Sequence, residues 1–398
     1  MSHRWWAPRR VVRRFAVIFV VPVVVLVLLF YIGGGWFFSG QLYNDALSGE
    51  KRRAALVPEY DLTVLAAESD TVTLQVGDDP PSALTTGERW GLRWDRGWGQ
   101  VAEIVGSTET EVIRRFRQVS GRPLEAGSAA SLTSWVYHDD PKTGLDLEYR
   151  DITFGGELGD YPAWFVEGTD DTWVIIVHGN GMTRLDGLRI LEITEKAGHP
   201  TLLITFRNDP GAPEDPSGLL QYGVTEWRDV ESAVQFALDR GAQDVVLAAY
   251  SMGGGSAVNF LYQSPLVDRV TGVILDSPML DFGRTVDHGA SQRTIPGLGI
   301  RVPKSLTAVA KFISSLRFGI DWSELNYLDR ADQLNTPMLI IHGTEDLVAP
   351  IITSEQLANQ RPDLVQLLST PGAGHVQSWN FDRVAYTDAV QEFLNEVG

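Results

Sequence analysis

Asp244-Val-Val-Leu-Ala-Ala-Tyr-Ser251-Met-Gly253 is the stretch whose reading decides the fold of this chain. Asp244–Ala248 is an apolar run of buried-strand length, and the residues after Met252 read as a helix. A strand that turns sharply into a helix holds a serine at its tip in a strained backbone conformation. The residues two before and two after must then be small, so that strand and helix can approach. Gly253 meets that need, and Ala249 adds one methyl group where glycine is usual. The spacing predicts Ser251 as a nucleophile, with an ordinary turn serine as the alternative.

Two later segments bear on that choice. Pro337-Met-Leu-Ile-Ile341 reads as a buried parallel strand and runs into His342-Gly-Thr-Glu-Asp346, which puts Asp346 just beyond the strand's carboxyl end. Leu364–Leu368 reads as the next strand, and Pro371-Gly-Ala-Gly-His375 carries a histidine in the loop after it. The chain order is Ser, Asp, His, and each residue follows a strand end that opens on one crevice. Asp276, at the end of the strand after Ser251, is the competing acid; its neighbours Ser277-Pro278 suggest a turn instead. With these residues, the region from about Tyr149 onward resembles an α/β-hydrolase of the Bem46 and serine-aminopeptidase-like branch. It also looks like uncharacterised membrane-anchored bacterial hydrolases of that kind.

The resemblance implies an oxyanion hole. Thr172-Trp-Val-Ile-Ile-Val177 is an apolar strand ending in His178-Gly-Asn-Gly181, similar to the family's oxyanion turn. Charge developing on a carbonyl oxygen needs two preorganised N–H donors. By the resemblance these are the backbone amides of Met252 and Asn180, with Gly181 the other candidate for the second. His178 itself is expected to be structural, satisfying groups in its own turn. Arg207, Asp209 and Glu226 also look familiar from such hydrolases, and ion-pair or capping roles are the expectation for them.

A chain of 398 residues, 44% hydrophobic and 10% aromatic, points to two folded parts. It has no cysteine, which excludes disulfides, thiolate metal sites and a thiol nucleophile. The net charge of −18 argues against nucleic acid as a partner, since an acidic body repels phosphates. No cofactor and no metal are expected.

From Phe15 to Ile32 there are eighteen consecutive residues without a charge or amide, and Gly33–Phe38 extends the run to spanning length. Residues 15–38 therefore read as a transmembrane anchor, with a cleaved signal peptide as the alternative. Arg4, Arg9, Arg10, Arg13 and Arg14 make residues 1–14 a basic tail, while Lys51, Arg52 and Arg53 share their neighbourhood with acids. The positive-inside rule places that tail in the cytoplasm and the rest outside it, at the cell membrane.

Residues 41–148 read as a small β-rich region. Trp90, Trp94 and Trp98 fall at even spacing there, as a stacking platform or as packing for a small core. Residues 149–398 alternate strands and helices, the pattern of a mostly parallel sheet with helices on both faces. An insertion at 282–334 sits where such hydrolases carry a cap, and its apolar content suggests an acyl or alkyl pocket. The expectation is an α/β-hydrolase fold with a cap, a β-rich N-terminal region and one transmembrane helix. Its function would be a membrane-anchored serine hydrolase cleaving carboxylic ester or thioester bonds in a small-molecule or lipid acyl substrate. Peptidase or acyltransferase chemistry uses the same three residues, and a non-catalytic binding protein on the same fold is the remoter alternative. Everything that this chemistry needs is expected downstream of the membrane span.

Overall fold

A computed structural model of the protein describes residues 21–50, 59–77, 82–86 and 88–398. The basic tail 1–14, residues 15–20 of the apolar run and Lys51–Arg53 lie outside the described residues.

Helix α1 (Val21–Leu42) widens at its end into a π-helical turn, Tyr43–Leu47. Among the described residues it is the helix long and apolar enough to cross a membrane. Six antiparallel strands follow: β1 (Leu62–Ala67), β2 (Thr71–Gln75), β3 (Trp90–Trp94), β4 (Gly97–Ser107), β5 (Glu111–Gly121) and β6 (Ala129–Thr133). They close into a barrel in the order β1-β2-β5-β4-β3-β6, which leaves no open edge. Trp90 and Trp94 point into its core with Leu92, Val64 and Leu74. Trp98 does not share their strand. It lies on β4 opposite Arg93, on the other face, and packs its ring 4.9 Å from that of His138.

The larger unit is an eight-stranded sheet: β7 (Arg150–Gly156), β8 (Gly159–Val166), β9 (Thr172–Val177), β10 (Thr201–Ile204), β11 (Asp244–Tyr250), β12 (Val270–Asp276), β13 (Met338–Gly343) and β14 (Val365–Thr370). Their spatial order is β14-β13-β12-β11-β9-β10-β8-β7, and β8 alone runs against the others. Both faces are covered, so the strands are apolar on both sides. In β9, Trp173, Ile175 and Val177 pack on one face while Val174 and Ile176 pack on the other. Helices α2 (Leu188–Ala197) and α8 (Arg383–Val397) cover the second face. Helices α3 (Trp227–Asp239), α4 (Met252–Gln263) and α7 (Ile352–Gln360) cover the first. Between β12 and β13 the chain leaves the sheet to build a cap from α5 (Phe282–Gln292) and α6 (Lys304–Phe318).

Candidate active site

The turn from β11 into α4 places Ser251 at φ 51°, ψ −115°, a region that residues with a side chain seldom occupy. Such a turn demands close approach. A β carbon on Gly253 would lie 2.5 Å from the carbonyl oxygen of His178, and the methyl of Ala249, two residues before Ser251, is buried in the core. Ser251 is buried, with its amide donating to the Asp276 carbonyl at 2.9 Å.

His375 arrives from the loop after β14. Its Nδ1 lies 2.7 Å from Asp346 Oδ2, and its Nε2 lies 2.9 Å from Ser251 Oγ. A carboxylate only accepts, so Nδ1 carries the proton and the Nε2 lone pair faces the serine hydroxyl. In this arrangement the ring can take the proton of Ser251 if the oxygen attacks an electrophile.

Asp346 is fixed from several sides. Its Oδ1 accepts the amides of Val348 and Ala349, each at 2.8 Å, and His342 Nε2 approaches Oδ2 at 3.2 Å. His342 Nε2 also lies 3.0 Å from the Ala349 carbonyl, which fixes the proton on Nε2, while Nδ1 meets the Ser354 hydroxyl at 2.8 Å. Burial pushes the Asp346 carboxyl up, but the hydrogen bonds and charges of His342 and His375 outweigh it and hold the group well below its ordinary range. The sequence named His342 only as part of the acid loop. That a histidine four residues before the acid serves the acid is visible once the loop is folded.

Asp276, the competing acid, faces away into the core. Its Oδ2 accepts from Tyr386 OH at 3.1 Å and its Oδ1 from Ser277 Oγ at 3.3 Å. Burial raises its carboxyl, opposed by Arg189 and Tyr386. Asp346, not Asp276, is hydrogen-bonded to His375.

Met252 heads α4, and the first amides of a helix have no partner within it. The β9 turn comes alongside: a β carbon on Gly179 would lie 2.9 Å from Ser251 Cβ. Asn180 follows, its Nδ2 donating to the Ala46 carbonyl at 3.0 Å and to Tyr222 OH at 2.9 Å, and Gly181 takes φ 74°. His178 is buried under this turn. It stacks on Phe206, with Nδ1 3.0 Å from the Gly179 carbonyl and Nε2 2.7 Å from Asp209. Arg207 is buried in a carboxylate cluster, 2.8 Å from Asp229 and 3.2 Å from Asp215, and Glu226 accepts the amides of Gln221 and Gly223.

The loop carrying His375 is strained and clamped. Val376, a β-branched residue, sits at φ 55°, and Ser277 at φ 50°. The Val376 amide donates to Ser277 Oγ at 3.0 Å and its carbonyl accepts from Arg189 at 2.9 Å. Arg189 also donates to Asn380 Oδ1 at 3.2 Å. Asn380 Nδ2 in turn reaches the Arg89 and Ser134 carbonyls of the barrel region, at 2.9 and 3.0 Å.

Ser251, His375 and Asn180 open on a cavity of about 620 Å³, within the range of small-molecule sites. The cap supplies Phe282, Val286 and Ala310, and the barrel exit supplies Trp135. Phe38, Leu42 and Ala46, from the end of α1 and its π-turn, form another wall. This wall had no signal in the sequence, because an apolar helix end reads the same whether lipid or a pocket faces it.

Comparison with known proteins agrees with this layout. A model described as "Alpha/beta hydrolase family" matches residues 174–389, and one described as "Domain of unknown function (DUF8805)" matches residues 63–133. The uncharacterized protein YqkD of Bacillus subtilis is 23% identical over 56% of this chain and 71% of its own length. A protein of Mycoplasma genitalium named putative esterase/lipase 2 is 25% identical over 56% of this chain and 89% of its own. The solved structure of the Pyrococcus furiosus esterase Pf2001 superposes with a TM-score of 0.53 at 21% identity, covering 65% of this chain and 96% of that one.

Proposed function

The chain belongs to the alpha/beta hydrolase family, and from that premise we propose that it is a membrane-anchored serine hydrolase of carboxylic esters. The observation that carries this reading is the hydrogen-bonded series Ser251–His375–Asp346 at the wall of an apolar cavity. The names of the Mycoplasma relative and of the Pyrococcus enzyme point the same way.

In this reading Ser251 Oγ attacks the ester carbonyl carbon while His375 Nε2 takes its proton, and the carbonyl π pair moves to oxygen. The amides of Met252 and Asn180 receive that oxyanion, with Gly181 adjacent. The intermediate collapses to an acyl-enzyme, and the leaving alcohol takes the proton from Nε2. Water repeats the sequence: His375 deprotonates it, it adds to the acyl carbon, and Ser251 leaves with the proton. Asp346 holds the Nδ1–H tautomer and stabilises the transient imidazolium. Its depressed carboxyl keeps it ionised for that task. The apolar run carried on by α1 anchors the chain with its basic tail in the cytoplasm and the hydrolase outside.

A fluorophosphonate probe should label the wild-type protein and spare Ser251→Ala. The same variant should lose on the order of 10³ to 10⁶ in kcat on p-nitrophenyl esters while remaining folded. Labelling that persists in Ser251→Ala sinks the assignment.

A further inference from the structure

Helix α1 does not leave the protein once it has reached it. Its C-terminal half lies along the cap helix α6, and the approach is close: a β carbon on Gly35 would meet Val309 Cγ1 at 2.7 Å and Ile313 Cδ1 at 2.9 Å. Tyr31 OH meets Ser305 Oγ at 2.8 Å, the buried Ser39 accepts from Ser314 Oγ at 3.0 Å, and the Arg317 guanidinium sits 4.1 Å over the Trp36 ring. Beyond them Tyr43 stacks on Phe318, Asp45 pairs with Arg293 at 2.8 Å, and Leu47 is buried in the main core. The chain from Tyr31 to Leu47 is thus built into the hydrolase.

The length of the apolar run fixes where the membrane ends. Phe15–Gly33 is nineteen residues without a charge or amide, about the number that crosses a bilayer's hydrocarbon core. The run ends where α1 meets the cap, its last residues overlapping the first cap contact at Tyr31, so α6 lies at the membrane surface. The cap's outer face suits that position. Phe312 and Leu316, one turn apart on α6, are 64% and 73% exposed, and Leu298 and Ile300 in the preceding cap loop are also exposed. Next to them Trp36 and Phe37 are exposed on α1. Large apolar groups clustered where a span emerges rest in the bilayer interface.

The cavity beside Ser251 is walled on this same side by Phe38 and Leu42 of α1 and by Val302 and Ala310 of the cap. Resting on the serine-hydrolase reading, we infer that the substrate is a bilayer-resident ester with a long acyl chain. The chain passes from the membrane along the outer end of α1 into the cavity, and its ester carbonyl comes to rest at Ser251. Phe38 and Leu42 are then specificity-determining residues. The anchor is a wall of the acyl site as well as a tether, and a water-soluble short ester fills the same cavity poorly.

The test uses the full-length protein in vesicles of palmitoyl-oleoyl phosphatidylglycerol doped with dioleoylglycerol and mono-oleoylglycerol. Fatty-acid release is measured beside turnover of p-nitrophenyl acetate and fluorophosphonate labelling. Wild type should release fatty acid and Ser251→Ala should not. Leu42→Trp, which narrows the cavity, should lower the ratio of long-chain to acetate turnover at least about tenfold, the scale at which an apolar pocket discriminates by size, whereas Leu42→Met should keep it. Phe312→Glu with Leu316→Glu, on the outer face, should lower the ratio of vesicle to acetate turnover by a similar factor without narrowing the cavity. Labelling with acetate turnover but no fatty-acid release overturns the inference and leaves the hydrolase reading standing. Release whose ratio ignores both sets of substitutions overturns it as well. Absence of labelling in folded protein removes the hydrolase reading and this inference with it.

Discussion

Every residue of β9 from Thr172 to Val177 is buried, whereas along β5 buried Val112, Ile113-flanked Arg114 and Phe116 alternate with more exposed neighbours. The two strands differ because β9 is covered on both faces and β5 only on its inner one. A sheet wrapped on both sides has no free face, so its chemistry is confined to strand ends. Ser251, Asp346 and His375 follow β11, β13 and β14. A closed barrel has no edge, and its interior is filled by Leu62, Val64, Leu92 and their neighbours. The barrel carries none of the proposed reacting groups. It reaches the site through Trp135 and through the carbonyls of Arg89 and Ser134 on Asn380.

If chemistry belongs to the strand ends, Asp346→Asn should lose roughly 10⁴ in kcat, since an amide no longer selects the imidazole tautomer. Steady-state kinetics on the purified variant, with a thermal melt to show that it is folded, check this; activity within tenfold of wild type breaks the division. The barrel core should behave oppositely. Leu92→Ala leaves a cavity at a fully buried site and should cost about 2–5 kcal/mol in unfolding free energy. Its kcat per folded, probe-labelled molecule should stay within about twofold, because no strand-end group moves.

Asn380 stands between the two regimes. Asn380→Ala removes both barrel contacts and one partner of the buried Arg189, and should destabilise by about 1–3 kcal/mol. It should also lower kcat several-fold with little change in KM, because Arg189 holds the loop of His375; an unchanged kcat would confine the barrel to a purely structural part. The smallest effect is expected at Asp276. Burial raises its carboxyl, so the group costs nothing below its unfolded value, and the cost to the fold accumulates as pH rises from that value toward the higher folded one. Asp276→Asn should keep most activity, and its melting temperature relative to wild type should rise as pH increases above the ordinary carboxylate range. A relative fall there, or an inactive stable variant, reverses this reading of Asp276.

The same contrast explains what was legible beforehand. The sheet announced itself because strands buried on both faces are unbroken apolar runs, such as Trp173–Val177 and Val245–Ala249, and short loops fix where their ends lie. Barrel closure was not legible. It depends on pairings such as β1 with β6 and β2 with β5, far apart in sequence, and on strands like Glu111–Gly121 whose outer face is rich in arginine. Of Trp90, Trp94 and Trp98, the first two fill the barrel core, one of the two readings their spacing allowed, while the turn at Asp95-Arg96 puts the third on another strand and another face. At the site, the residues named for chemistry came from local motifs. Phe38 and Leu42 in the cavity wall, the Ala46–Asn180 contact and the Asn380 bridge are tertiary, and no spacing encodes them.

Ser251, Ser277 and Val376 meet around one histidine loop, each in a backbone conformation that costs a residue with a side chain on the order of 1 kcal/mol or more. The Val376 backbone is clamped by one hydrogen bond to the Ser277 hydroxyl and one to the Arg189 guanidinium, its side chain lying at the margin of the sheet as a member of the second of two large apolar cores. The loop therefore has the most to gain from a local relaxation that the rest of the molecule does not share. On warming, catalytic competence and the folded state should part company, and the temperature at which this protein stops working is set by a few residues around Val376 while its scaffold is still intact.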